Sequence, residues 1–545
     1  MFSITPIKAM PFRILVTDEV DPEGIALLRA APELQVDVMP TLPEPELLAR
    51  IGEYDAIIGR SATRISEPLL RAGRRLRVVG RAGVGVDNVA LDTATALGVA
   101  VINAPAGNTV AVAELFFASL IGLLRHVPRA DQSTREGRWE RAQLLGTEIK
   151  GKTLGIVGVG RIGGEVAARA RAFGMTVVGY DPYIAGERFD SLHVRRCATL
   201  DALLDACDVL TVHTPLTDET RGMIGPGQIA RLKPGAVVAN LARGGIVDET
   251  ALAAALHAGH LRGATVDAYV KEPLKGDHPL LHAPHILLTP HIGASTAEAQ
   301  RNVAVDVCAA VRDALLNNEY SRSLNVAEAG GDWQALQPAM LLVRRVAAVA
   351  RALLADRGAR AIASVTVRLG AELAPGRGPL LAAAALGALE GVVERERLNI
   401  INARAVAQSR GIELVYAEAG VPPHARAVEV RLAADGQDIR VGGVAALDAP
   451  PRLTRIGDFH VDVAPRGTLL VLSNRDVPGV IGHVGTALGN AGVNIAEYHQ
   501  ARLAQGAEAL AVVSIDGAVS DEVRHALLAL PDVHSATLVR FGGDA

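Results

Sequence analysis

Cysteine is scarce in this chain: three among 545 residues (Cys197, Cys207 and Cys308), with no CxxC or CxxH spacing. That excludes a disulfide framework and leaves no zinc-ligand pattern, so no metal is expected and a reducing cytoplasm suits the composition. Basic tracts are also missing. The net charge is -4 with 21% charged residues of both signs interspersed, which points away from nucleic acid and membrane surfaces and toward a small solvated substrate. Nor is there a hydrophobic run long enough for a clean bilayer span. The most apolar stretch, Val110 to Val127, falls short of ~20 residues and carries Glu114 and Arg125, so it reads as a buried or interface helix. Residues 1 to 10 lack the charged, apolar and small-residue regions of a secretory signal. Low-complexity tails and short-period repeats are absent too.

What is present is length enough for several cores and a grammar of short Val/Ile strands alternating with Ala/Leu/Glu helices. The strands begin with "FRILVTDEV" at Phe12 and continue through "DAIIGR", "LRVVGRAG" and "VAVINAP". The same rhythm returns after Gly151 with "TLGIVGVG", "TVVGYD", "DVLTVHTP", "AVVANLARGG", "GATVDAY" and "HILLTPHIG". Two α/β layers with parallel sheets are therefore predicted before residue 295. Near Asn325 the pattern changes to an Ala/Leu/Arg-rich region, interrupted by "APGRGP" at Ala374 to Pro379. Beyond Arg466 the order reads βαββαβ, the split arrangement of a ferredoxin-like module.

Gly158, Gly160 and Gly163 form G-x-G-x-x-G between an apolar strand and an Ala-rich helix. The first two permit a tight turn and close approach of amides to a pyrophosphate, and the third lets helix pack on strand. The following strand ends in Asp181, where a carboxylate accepts ribose hydroxyls of NAD and repels a 2'-phosphate. NAD is expected rather than NADP. A Gly-rich turn followed by a surface Asp is the alternative.

Three polar motifs follow later strands, where open α/β sheets bind ligands: "NLARGGIVDE" with Arg243, "VDAYVKEPL" with Asp267 and Glu272, and "LTPHIGAST" with His291. Oxidation of an alcohol by hydride transfer needs a base, a cation for developing negative charge and a held nicotinamide. His291, Arg243 and the glycine turn supply these, and Glu272 beside His291 orients the ring and favours its charged form. Taken singly, each is also an ordinary surface Arg, loop Glu or satisfied His.

The motifs "GVGRIGGEVA", "NLARGGIVDE", "VKEP" and "TPHIGASTAEAQ" resemble those of the D-isomer-specific 2-hydroxyacid dehydrogenases, and the likeness extends over nearly the whole chain. It implies that Arg243, Glu272 and His291 are catalytic. It also implies cofactor contacts at Val84, Gly158, Gly160, Arg161, Ile162, Gly163, Asp181, Thr214, Leu241, Ala242, Arg243, Asp267, His291, Ile292, Gly293 and Ala294. Val84 stands where Thr is common, a departure of little weight if only its amide is used. The implied fold is a Rossmann domain (108–291) inserted in a flavodoxin-like substrate domain (12–107 and 292–325). An α+β allosteric substrate-binding domain (326–465) and a βαββαβ ACT domain (466–540) follow. That insertion explains why a dinucleotide fingerprint starts so far into the chain.

For substrate the resemblance implies 3-phospho-D-glycerate, with Arg60, Arg81 and Arg141 toward phosphate and amides at Val84 and Gly85 toward carboxylate. Arg141 is expected to reach a neighbouring subunit's site in a homotetramer. In the last module Asp476 and Asn494 are the candidates for gripping an effector serine, although "NRDVPGV" departs from the commoner N-R-P-G turn. Arg452, Arg455 and His460 are read as a further anion site. Two rivals stay open: a glyoxylate or hydroxypyruvate reductase of the same fold, and an NAD-sensing corepressor-like binding protein.

Overall fold

In the computed structural model, residues 10–327, 331–390, 398–420, 423–516 and 519–541 are described. All but Met10 of the N-terminal stretch read for a secretory signal lies outside them.

The first sheet holds β1 (Phe12–Val16), β2 (Leu34–Val38), β3 (Ala56–Gly59), β4 (Val78–Arg81) and β5 (Ala100–Asn103), all parallel, in the order β2-β1-β3-β4-β5. Its central strands are buried on both faces, as parallel strands covered by crossover helices must be. Alternation sends Ile14, Val16 and Ile58 into one core and Leu15, Ile57 and Val79 into the other. This is the flavodoxin order.

The second sheet holds β6 (Thr153–Val157), β7 (Thr176–Tyr180), β8 (Arg195–Arg196), β9 (Val209–Val212), β10 (Ala236–Asn240), β11 (Leu261–Val266) and β12 (Ile286–Leu288). They run parallel in the order β12-β11-β10-β9-β6-β7-β8, a doubly wound sheet of Rossmann type. The chain then returns to the first sheet. Helix Ala297–Asn317 lies so close that a Cβ at Gly24 would sit 2.7 Å from the Ala304 backbone, and the Leu324 amide donates to Val101 O at 2.8 Å.

The apolar stretch forms helix Thr109–Leu124, with Phe116 and Leu120 fully buried against the second sheet. No single helix among the described residues is long and apolar enough to cross a membrane. Together with Val127–Arg135 this one makes a pair, bent by 62°, that passes by length and composition alone.

The third sheet pairs β13 (Ile362–Leu369) in parallel with β14 (Glu413–Tyr416). It continues antiparallel through β15 (Ala427–Ala434), β16 (Gln437–Val444), β17 (Arg452–Ile456) and β18 (Phe459–Val463). Helix Trp333–Asp356 packs across it. The "APGRGP" interruption is instead a beginning: a 3-10 turn at Ala374–Gly376 leads into helix Arg377–Leu389, with Pro379 in the first turn where its missing N–H has no intrahelical partner to lose. The fourth sheet, β19 (Thr468–Arg475), β20 (Asn494–Arg502), β21 (Glu508–Asp516) and β22 (Val533–Arg540), is antiparallel in the order β20-β21-β19-β22. Helices Val480–Asn490 and Asp521–Leu528 complete its βαββαβ order.

Candidate active site

The cleft between the first two sheets is a cavity of about 490 Å³, lined by Arg60, Arg81, Val84 and Gly85 from one side and Arg243, Glu272, His291 and Ala294 from the other. Arg243 follows β10, where the buried Asn240 braces the turn: its Nδ2 donates to Arg243 O at 3.0 Å and its Oδ1 accepts from the Ala242 amide at 3.2 Å. Gly85 clears the way for the guanidinium, since a Cβ there would fall 2.1 Å from Arg243 Nη2. Arg243 Nε donates across the cleft to Asp87 at 3.2 Å.

His291 adopts left-handed backbone, φ 55°, which is uncommon for a non-glycine residue. Two clamps hold it there. Asp267, 1% exposed, accepts from the Ile292 amide (2.8 Å), the Gly293 amide (2.9 Å) and Thr289 Oγ1 (2.6 Å). Tyr269 places its hydroxyl against Val266 O (3.0 Å) and Thr289 O (2.8 Å), and burial pushes this phenol up to about 12, so it stays neutral. His291 Nδ1 lies 2.9 Å from both oxygens of Glu272, which also accepts from the Tyr269 amide at 3.1 Å. A nitrogen facing two carboxylate oxygens is the donor of the ring, which leaves Nε2 as the acceptor for substrate.

The opposite wall is cationic. Arg81 donates to Ala82 O at 3.0 Å, has no carboxylate partner among the described residues, and is held below the usual guanidinium range by burial and then by repulsion from Arg243 and Arg60. Arg60 is fixed through its amide, which donates to Asp18 at 2.6 Å, while its Nη1 donates to Glu19 O at 3.2 Å. Three guanidinium groups thus converge on one space. An anion there relieves their repulsion.

Beside this wall lie the carboxyl ends of the second sheet's strands. Gly158 has φ 89° and a Cβ on it would lie 2.7 Å from His213 O; a Cβ on Gly163 would lie 2.2 Å from Gly158 O. At Gly160 a Cβ would meet nothing within 4 Å, so open space stands over the first turn of helix Arg161–Ala172, where amides have no intrahelical partners. Asp181 binds this turn from the side, accepting from the Val159 and Tyr183 amides at 3.0 Å each. Asn108 Oδ1, Thr109 Oγ1, His213 Nδ1 and Thr214 Oγ1 are buried with no hydrogen-bond partner. Desolvation pushes the His213 imidazole down to about 4, so the ring is neutral at pH 7. Orphaned polar atoms close to an open glycine turn fit a bound dinucleotide.

Ile162, Leu241, Ala242, Ile292 and Gly293 border the same strand ends. Arg141 does not join them: it lies on an exposed 3-10 turn, Arg141–Gln143, outside the cleft of its own chain. The expected anion site at Arg452, Arg455 and His460 is not formed, because its arginines are already neutralised. Arg452 pairs with Asp462 at 2.6 Å and Glu497 at 3.5 Å, and Arg455 with Asp458 at 3.4 Å. Asp476 accepts from Arg502 at 3.1 Å and the Gly506 amide at 3.2 Å, and Asn494 donates to Asp516 at 2.6 Å. Sequence reasoning missed Asp87, Asn240, Tyr269, Asn108 and His213; of these, Asn240 two residues before "ARGG" carried a readable turn signal.

The family profile described as "D-isomer specific 2-hydroxyacid dehydrogenase, NAD binding domain" matches residues 117–293. The chain is 37% identical over 532 residues to a D-3-phosphoglycerate dehydrogenase from Synechocystis sp., covering 97% of this chain and 94% of that protein. It is 38% identical over 529 residues to one from Mycobacterium tuberculosis, covering 96% and 98%. Among solved structures, a glyoxylate reductase from Paecilomyes thermophila matches with TM-score 0.53 at 30% identity, over 58% of this chain and 98% of that one.

Proposed function

The chain belongs to the D-isomer-specific 2-hydroxyacid dehydrogenases, and on that premise we propose that it oxidises 3-phospho-D-glycerate to 3-phosphooxypyruvate with NAD, the first step of L-serine synthesis. The observation that carries this reading is the reach of the similarity. Relatives named D-3-phosphoglycerate dehydrogenase align with 96 to 97% of the chain, whereas the glyoxylate reductase structure accounts for 58%.

In this reading the amides of the Gly158 to Gly163 turn hold the pyrophosphate and Asp181 the adenosine ribose. Bound NAD supplies the acceptor for the hydride that leaves C2 of the substrate. His291 Nε2 takes the hydroxyl proton, and Glu272 fixes the tautomer and balances the charge the ring gains. Arg243 holds the substrate carboxylate and the oxygen on which negative charge collects. Arg60 and Arg81 grip the phosphate as forked donors, with the Val84 and Gly85 amides behind the carboxylate. Approach of the two lobes would expel water from the cleft.

The same proposal places the boundaries at 108, 292, 326 and 466, the enzyme in the cytoplasm as a homotetramer with Arg141 at a neighbour's cleft, and serine as an effector near Asp476 and Asn494. The test is NAD reduction with 3-phospho-D-glycerate, D-glycerate and glycolate, each with and without serine. The phosphorylated acid is expected to lead by about 100-fold in kcat/KM, roughly the value of lost charge-assisted contacts. Turnover with unphosphorylated acids alone would establish the reductase instead, and NAD binding without turnover the sensing protein.

A further inference from the structure

A second cavity, of about 1070 Å³, lies on the far side of the first sheet, at its seam with helix Trp333–Asp356. The reaction does not use it. Hydrogen bonds close the seam beside it: Trp333 Nε1 donates to Asn318 O at 3.0 Å, and Asn399 Nδ2 to Gly98 O at 2.7 Å. Trp333 and Ile401 also enter the apolar core of the first sheet, so the walls form one packed surface.

The lining is unbalanced in charge. Arg74, Arg75 and Arg77 come from the segment entering β4, Arg344 comes from the helix, and Asp55 is the sole carboxylate among the described lining residues. Asp55 is 6% exposed and already engaged, by the Arg13 amide at 2.8 Å and by Arg75 at 2.9 Å. Arg344 pairs with Glu390. Arg77 lies over the Phe12 ring at 5.2 Å, which supplies no counter-charge, and Arg74 has no ion pair among the described residues. Leu341, Leu386 and Ile400 line the same cavity. A concavity lined by forked cationic donors and by apolar side chains matches the design of small-molecule sites.

We propose that this cavity binds a small organic anion, its phosphate or carboxylate groups at Arg74 and Arg77 and its apolar body against Leu341, Leu386 and Ile400. Such a ligand touches the first sheet's lobe and the helix that carries the third sheet, so it links the catalytic half to the C-terminal half. Any effect on turnover follows from unequal binding to two arrangements of that seam.

Trp333 stands in the cavity wall, and the chain has one other tryptophan, the exposed Trp139. Trp139→Phe in the full-length protein therefore isolates a reporter at the site. Titration with phenyl phosphate and with phenylsuccinate, at constant ionic strength and saturating NAD, should give a saturable change in Trp333 emission with at least one of them. Response to one alone identifies phosphate or carboxylate as the preferred group. Adding Arg74→Ala and Arg77→Ala should weaken binding about 10-fold or more while dehydrogenase activity persists, as expected for removing two charge-assisted contacts; Arg74→Ala alone serves if the double variant fails to fold. No saturable response to either probe, or an affinity unmoved by these substitutions, overturns the proposal. So does a response abolished by Arg81→Ala, which would place the anion in the catalytic cleft.

Discussion

The cleft of the first two sheets and the Asp476 turn of the fourth were both read as anchor points for small molecules, yet they treat their own polar groups oppositely. In the cleft, three guanidinium groups face one another and His291 sits in left-handed backbone, and four buried polar atoms in and beside it lack partners. At the turn, Asp476 is already bonded to Arg502 and to the Gly506 amide, which hold its carboxyl below the usual range. A site that leaves buried polar atoms without partners has already met part of the desolvation cost of its ligand and is preorganised for it. A site satisfied from within must break bonds first. The difference separates a site preorganised for its ligand from a turn that any ligand would first have to open.

The sharpest test of that contrast is His291→Ala. Removing the base should lower kcat by about 10³-fold, within the range for positioned proton transfer, with the Kd for NAD nearly unchanged as read by dinucleotide fluorescence. Retained turnover would show that the strained loop serves something other than the proton. Arg81→Met comes next. It should cost about 100-fold in kcat/KM for the phosphorylated acid, and because it removes a half-buried cation repelled by two others, it should not lower Tm. A fall in Tm would mean the cleft is not a reservoir of unsatisfied charge. Asp181→Ala should shrink the preference for NAD over NADP by about 10-fold, in ratios of kcat/KM, by lifting repulsion of the 2'-phosphate. Because Asp181 also receives the Val159 and Tyr183 amides, this variant should lose some thermal stability, unlike the one at Arg81.

Much of this architecture was legible because parallel strands buried on both faces write themselves as unbroken apolar runs, such as Ile14 to Val16 and Ala56 to Ile58. The edges were not. β2, "LQVDV", alternates with polar residues, and β8 is two arginines, so neither carries the buried-strand signature. Arg243, Glu272 and His291 could be found because each follows a strand end, a position that topology rather than contact detail dictates. What holds them could not be found. Asp87 meets Arg243 across 156 residues of sequence, and the donors that engage Asp267 come from a loop more than twenty residues later. The reading of Arg452 failed for the same reason, since its carboxylate partners Asp462 and Glu497 lie on other strands and register cannot be read from one segment; the partner of Arg455, Asp458, is only three residues away in the turn and was open to a local reading.

The smallest expected effect is the one that bears most directly on the Asp476 turn. Since the folded-state carboxyl of Asp476 titrates below its ordinary value, its contribution is complete above the usual carboxylate range and is lost as pH falls through the depressed value. Asp476→Asn should therefore lower Tm slightly at pH 7, and the gap from the parent protein should close in acid. Exposed pairs of this kind are weak, so the drop should be far smaller than any change in turnover at the cleft. If serine engages this carboxylate, it must displace Arg502 or Gly506, and the rise in Tm that serine gives the parent at pH 7 should vanish in Asp476→Asn. A serine-dependent rise that survives the substitution would mean that the turn is a structural clasp and that any effector binds elsewhere.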